Sequence, residues 1–183
     1  MNPFANATVL SLPGLHSSGP KHWQTLWEGT DPTIVRVTQS DWNLPNRHDW
    51  VETLNLAVNQ STGKVVLLAH SLGCQLVNFW ANAFDTSKIK GALLVAPGDT
   101  EASSFPEGPS NWDPIPLNRL PFPSILVAST NDEYVSLERA ILFAEKWGSE
   151  FVDVGPVGHI SSGSGLHYWA HGRELMTTLR NKP

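Results

Sequence analysis

Cysteine occurs once, as Cys74, so an intrachain disulfide framework is excluded and a reducing compartment fits, with the cytoplasm as the expected location. Basic residues are also few. Twelve Lys and Arg against seventeen Asp and Glu give a formal charge of −5, and the twelve form no basic block or basic helical face. A phosphate-backbone footprint is therefore missing, and nucleic acid is not an expected partner. Long apolar runs are absent too. The first run, Thr8 to Leu12, is far too short for a signal-peptide core or a membrane span, and Met1 to Asn6 holds no basic stretch ahead of it. Neither a targeting segment nor a membrane partner is expected. No internal repeat or low-complexity tract interrupts the chain.

What remains is enough for one core. The 183 residues, 40% hydrophobic, predict a single domain over 1–183 rather than two. Eight tryptophans are many for this length but dispersed, which places most of them in the core or under loops.

Short β-branched or leucine-rich runs recur: Thr8 to Leu12, Ile34 to Val37, Val65 to Ala69, Ala92 to Val95, Ile125 to Ser129 and Phe151 to Val154. Their continuous apolarity suggests strands buried on both faces. Between them His22 to Glu28, Trp50 to Gln60, Leu72 to Phe84, Val135 to Trp147 and Leu166 to Arg180 carry apolar residues at helical spacing. Strand and helix in alternation predict an α/β fold, a mainly parallel six-stranded sheet with helices on both faces. Functional groups then gather where strands end.

One strand end stands out. In Val65-Val66-Leu67-Leu68-Ala69-His70-Ser71-Leu72-Gly73 the apolar run stops at a serine and a helical pattern follows. Ala69 to Gly73 fits the G-x-S-x-G elbow with Ala69 at the first glycine, a strained strand-to-helix turn that exposes the serine hydroxyl. Ser71 is the candidate nucleophile, with helix capping as its plainer role. The Leu72 N–H, at the helix N-terminus, is a candidate oxyanion donor. A second donor is expected from Leu15 or His16, in the glycine-containing loop after the first strand.

A serine nucleophile needs a base and an acid to orient it, which in this architecture follow it in the order acid, histidine. His159 alone of the seven histidines lies on a strand-exit loop after the serine and is the candidate base. His16, His22 and His48 precede the serine, His70 neighbours it in an elbow where adjacent residues diverge, and His167 and His171 fall in or beside the final helix. Asp132, just after the fifth strand, is the candidate acid; Asp99, after the fourth, is its rival. No metal ligation and no cofactor are expected.

Pro97 to Pro123 breaks the alternation and holds half of the fourteen prolines, so it cannot be one helix. A segment of that kind within a compact domain predicts a cap over a site, with Phe105 and Trp112 as candidate walls of a substrate pocket.

Together, Pro13-Gly14-Leu15-His16-Ser17-Ser18-Gly19-Pro20-Lys21-His22-Trp23, Ala69 to Gly73, Asn131-Asp132-Glu133 and Gly158-His159-Ile160-Ser161-Ser162-Gly163-Ser164-Gly165 resemble the small serine hydrolases of the retinoblastoma-binding protein 9 type, compact α/β-hydrolases. The likeness spans nearly the whole chain. It implies a Ser71-Asp132-His159 triad, a cytoplasmic monomer or weak homodimer, and carboxylesterase-like hydrolysis of small ester or amide substrates. The namesake's L-x-C-x-E link to retinoblastoma protein does not carry over, because Leu72-Gly73-Cys74-Gln75-Leu76 has leucine where glutamate is required and falls on a predicted buried helix. The alternative reading is a non-catalytic protein-interaction module on a hydrolase scaffold.

Overall fold

The structure, a computed structural model, describes residues 7–181; the Met1 to Asn6 segment lies outside them. The elements run β1 (Thr8–Leu12), α1 (Trp23–Glu28), β2 (Ile34–Arg36), α2 (Arg47–Gln60), β3 (Val65–His70), α3 (Leu72–Ala81), β4 (Ile89–Val95), β5 (Ser124–Ala128), α4 (Leu137–Trp147), β6 (Glu150–Asp153) and α5 (Ala170–Asn181). The six strands form one sheet in the order β2-β1-β3-β4-β5-β6, with every neighbouring pair parallel.

The two-residue period of the strands sorts their side chains into two cores. Leu10, Leu12, Val65, Leu67, Ala69, Ala92, Leu94 and Leu126 pack with residues of α2, α3 and α4. Val9, Val66, Leu68, Leu93, Val95, Ile125 and Val127 point to the other face and pack with α1 and α5. Because both faces are covered, β3 is buried at all six positions, as the unbroken apolar run Val65 to Ala69 anticipates. Five of the eight tryptophans, Trp23, Trp27, Trp50, Trp80 and Trp147, are fully buried.

Element ends depart from the periodicity where local hydrogen bonding overrides it. The second helix starts at Arg47, not Trp50, because the Asn46 side chain accepts the His48 N–H and caps a polar first turn. The final helix starts at Ala170, not Leu166, after a 3-10 turn at Ser162–Ser164 and left-handed residues His167 and Trp169. Pairing of Ile89 with Val65 extends β4 three residues ahead of its apolar run. Among the described residues no helix is long and apolar enough to cross a membrane.

The proline-rich segment is tied to the body along most of its length. Trp112, Ile115, Leu120 and Phe122 are buried in the core on the α2–α3–α4 side. The Trp112 and Trp147 indoles donate to Pro45 O and Pro116 O, each at 3.0 Å.

Candidate active site

Every group of the site leaves the carboxyl edge of the parallel sheet. β3 ends at His70 and α3 begins at Leu72, so Ser71 alone makes the turn, with φ 55° and ψ −121°. A non-glycine residue there carries about 1 to 3 kcal/mol of strain. Two bonds hold the turn: the Ser71 N–H donates to Val95 O at 3.0 Å, and the Cys74 N–H donates to Ser71 O at 2.9 Å. The Ser71 hydroxyl makes no helix-capping bond; it lies 2.8 Å from His159 Nε2.

The other face of the His159 ring system is equally specified. Nδ1 lies 2.9 and 2.8 Å from the two carboxylate oxygens of Asp132. A carboxylate only accepts, so Nδ1 carries the proton and Nε2 presents its lone pair to the serine. The Asp132 side chain is fully buried and also accepts the Tyr134 N–H at 2.9 Å. It does not cap α4, since Ser136 does that. Asp99, the rival acid, forms a two-pronged ion pair with Arg139 at 2.8 and 3.0 Å instead.

The imidazole is braced from several directions. His70 Nε2–H donates to the His159 carbonyl at 2.9 Å, and the Trp23 indole donates to Ile160 O at 2.8 Å. Tyr134 and His70 pack against the His159 ring with centroids 4.7 and 4.9 Å away. Asn131 Oδ1 accepts the Gly158 N–H at 2.7 Å, joining the loop of Asp132 to that of His159.

Backbone from two segments lies close to the serine. Leu72 N–H belongs to the first turn of α3, where no intrahelical acceptor exists. Gly14 of the β1 loop packs so closely that a Cβ there would lie 2.8 Å from Ser71 Cβ and 3.1 Å from Leu72 N. Of the two donors expected from this loop, the His16 N–H donates to Trp42 O at 2.7 Å, and Leu15 lines the cavity beside Ser71. Arg36 clamps the same loop, donating to Ser17 Oγ and Ser18 O at 3.3 and 3.0 Å.

A cavity of about 220 Å³ opens on Ser71. Leu15, Phe105, Pro106 and Tyr134 give it apolar walls; His16, His22, His70, Ser161 and Ser162 give it polar ones, and none of its lining residues is Asp, Glu, Lys or Arg. Phe105 lines the cavity: its ring would be 2.7 Å from a Cβ on Gly98, a position itself 3.3 Å from Ser71 Oγ. Trp112 is a correction. It is not among the residues lining the cavity but 2% exposed in the core, edge-on to Trp50 and Phe79 with centroids 5.6 and 6.0 Å away. A large indole whose N–H finds a backbone carbonyl is more stable in that layer than beside water. Among the described residues no three His, Cys, Asp or Glu side chains cluster to hold a metal ion.

The model of the serine hydrolase family matches the chain over residues 9–178. The chain belongs to that family. A crystal structure described as a YdeN-like hydrolase from Pectobacterium atrosepticum is 30% identical to this serine hydrolase, covering 96% of this chain and 91% of that one with a TM-score of 0.85. The ydeN gene product from B. subtilis, 17% identical, covers 96% and 100% at 0.74, and Est1E from Butyrivibrio proteoclasticus, 14% identical, 99% and 91% at 0.71. The last two likenesses show the α/β-hydrolase fold. No curated protein matches the chain.

Several residues of the serine hydrolase's site carry no signal that sequence reasoning used. His22 and His70 line the cavity, although chain order sets the first aside and its place beside Ser71 in the elbow the second, and Ser129, Asn131 and Tyr134 brace the loops of Asp132 and His159. Only the His-Trp pair at 22–23, whose second ring reaches Ile160, and the polar run after Ser129 could have pointed to them. Cys74, one turn from Ser71, is no rival nucleophile: burial pushes its thiol pKa far up.

Proposed function

We propose that this protein is a carboxylesterase-like serine hydrolase that cleaves small neutral esters, with amides as slower substrates, through an acyl-enzyme on Ser71. The observation that carries the reading is the continuous bonding from Ser71 Oγ to His159 Nε2 and from Nδ1 to the buried Asp132 carboxylate. His159 takes the serine proton as Ser71 attacks the carbonyl carbon, then returns it to the departing alcohol. Asp132 holds the ring in the required tautomer and stabilises the imidazolium. The N–H groups of Leu72 and Leu15 receive the oxyanion. Water, deprotonated by His159, then releases the acid and restores the hydroxyl.

A cavity of about 220 Å³ without charged lining residues favours short, uncharged substrates. Each role is filled by a side chain or backbone group of the chain, so the scheme uses no cofactor. The family kinship leaves room for the retinoblastoma-binding protein 9 type, without its pocket-protein contact, because Leu72 to Leu76 is buried in α3. A cytoplasmic monomer or weak homodimer, one domain capped by residues 97–123, completes the proposal.

A fluorescent fluorophosphonate, followed by peptide mass spectrometry, tests it. Rapid labelling at Ser71, absent in Ser71→Ala, is expected, with ester turnover falling about 10⁴-fold or more in the variant. A folded wild-type protein that resists the probe and all short esters would replace this reading with the interaction module.

A further inference from the structure

Two cavity histidines have tautomers dictated by their backbone partners. His22 caps α1: its Nδ1 accepts the Gln24 N–H at 3.2 Å. The accepting nitrogen bears no proton, so the neutral ring carries its proton on Nε2. Burial, then Arg36 and His159, lower the His22 pKa to about 4, and the ring is neutral at pH 7. His22 is 4% exposed, and its Nε2 is buried without a hydrogen-bond partner among the described residues. A buried donor left unpaired has lost the hydrogen bond it makes to water in the unfolded chain.

His70 is its complement. Its Nε2 must donate to the His159 carbonyl, leaving Nδ1 as a bare acceptor. Burial keeps this ring neutral as well, with a pKa well below the ordinary range. The two rings meet edge to face with centroids 4.7 Å apart, and both line the cavity. His70 in turn packs on His159, so the pair sits on the side of the base. A leaving group departs toward the base that protonates it. The alcohol half of an ester therefore lies on this side, where Ser161 and Ser162 continue the polar surface.

We propose that His22 and His70 form a neutral donor–acceptor pair that recognises a second hydroxyl on the alcohol half of the ester. The hydroxyl oxygen accepts from His22 Nε2–H, and its own proton goes to His70 Nδ1. The substrate class is thus the esters of diols and polyols, a specification that rests on the hydrolase reading above.

The test compares 2-hydroxyethyl butyrate with propyl butyrate, which differ by one hydroxyl in place of a methyl. kcat/KM reports steps through acylation, where the leaving group is still present. Wild-type enzyme should favour the hydroxyethyl ester about tenfold, with 2-methoxyethyl butyrate, which accepts but cannot donate, in between. In His22→Asn the amide oxygen replaces Nδ1 at the helix cap and nothing replaces Nε2; the ratio should fall to near one. His22→Gln, whose amide nitrogen reaches the Nε2 position, should keep part of the preference.

Equal wild-type rates for the two esters, or a preference unchanged in His22→Asn, would overturn the assignment. So would an equal loss on both esters, which would give the rings to the hydrolytic water or to the fold. The wild-type ranking stands as a test even if a variant does not fold. Failure of the hydrolase reading is separate, since it appears as an unlabelled Ser71.

Discussion

A Cβ on Gly73 would lie 2.1 Å from the carbonyl oxygen of Leu12. The turn that presents Ser71 is thus pressed against the end of β1, and the neighbour is backbone, which cannot swing aside. Gly73→Ala should destabilise the protein by about 3 kcal/mol or prevent folding, read as a lowered urea midpoint. A midpoint equal to wild type would mean that the elbow is looser than this contact requires.

Asp132 and Asp99 should separate activity from stability. Asp132→Asn removes the acceptor that sets the His159 tautomer, and kcat should drop about 10⁴-fold with the urea midpoint little changed. Asp99→Ala breaks the pairing with Arg139, whose side chain is 29% exposed and keeps Glu101, so it should cost about 1 to 3 kcal/mol and leave kcat within a few-fold. The reverse pattern would make Asp99 the orienting acid.

Acid should weaken the fold through His22. Its folded-state pKa of about 4 lies below the 6.5 of the unfolded chain, so between these values the unfolded state binds more protons and stability falls as pH falls. The contribution, on the order of 3 kcal/mol, is full above pH 6.5 and gone below about 4. His70, also lowered, acts in the same direction. Asp31, Asp41 and Asp85, lowered from 3.8, lose their contributions below that window. Urea titrations at pH 7, 6 and 5 should show this decline, with a shallower slope in His22→Asn. An unchanged slope in the variant would remove His22 from the account.

Phe105 and Trp112 share a loop but not a role. Phe105→Ala should widen the cavity and shift preference toward longer acyl chains by about tenfold in relative kcat/KM, with stability little changed. Trp112→Ala should cost about 3 to 5 kcal/mol through the void it leaves against Trp50 and Phe79, with chain-length preference unmoved. Identical chain-length profiles for wild type and Phe105→Ala would argue that the acyl group lies elsewhere.

The sequence announces the sheet, because strands buried on both faces leave unbroken apolar runs and the helices between them keep a 3.6-residue period. It also marked Ser71, Asp132 and His159, since each occupies a strand exit in a fixed chain order. These are local signals, legible without neighbours. The rest depends on distances between segments far apart in the chain. Arg139, forty residues away, pairs with Asp99, whereas Asp132 lies against His159 Nδ1; the His16 N–H donates to Trp42 O. Proline content announces an irregular segment but not which of its aromatics turns inward, so Phe105 and Trp112 read alike until packing separates them. His22 and His70 reach the site because the loop after β1 and the end of β3 converge on one sheet edge, a meeting that spacing along the chain does not encode.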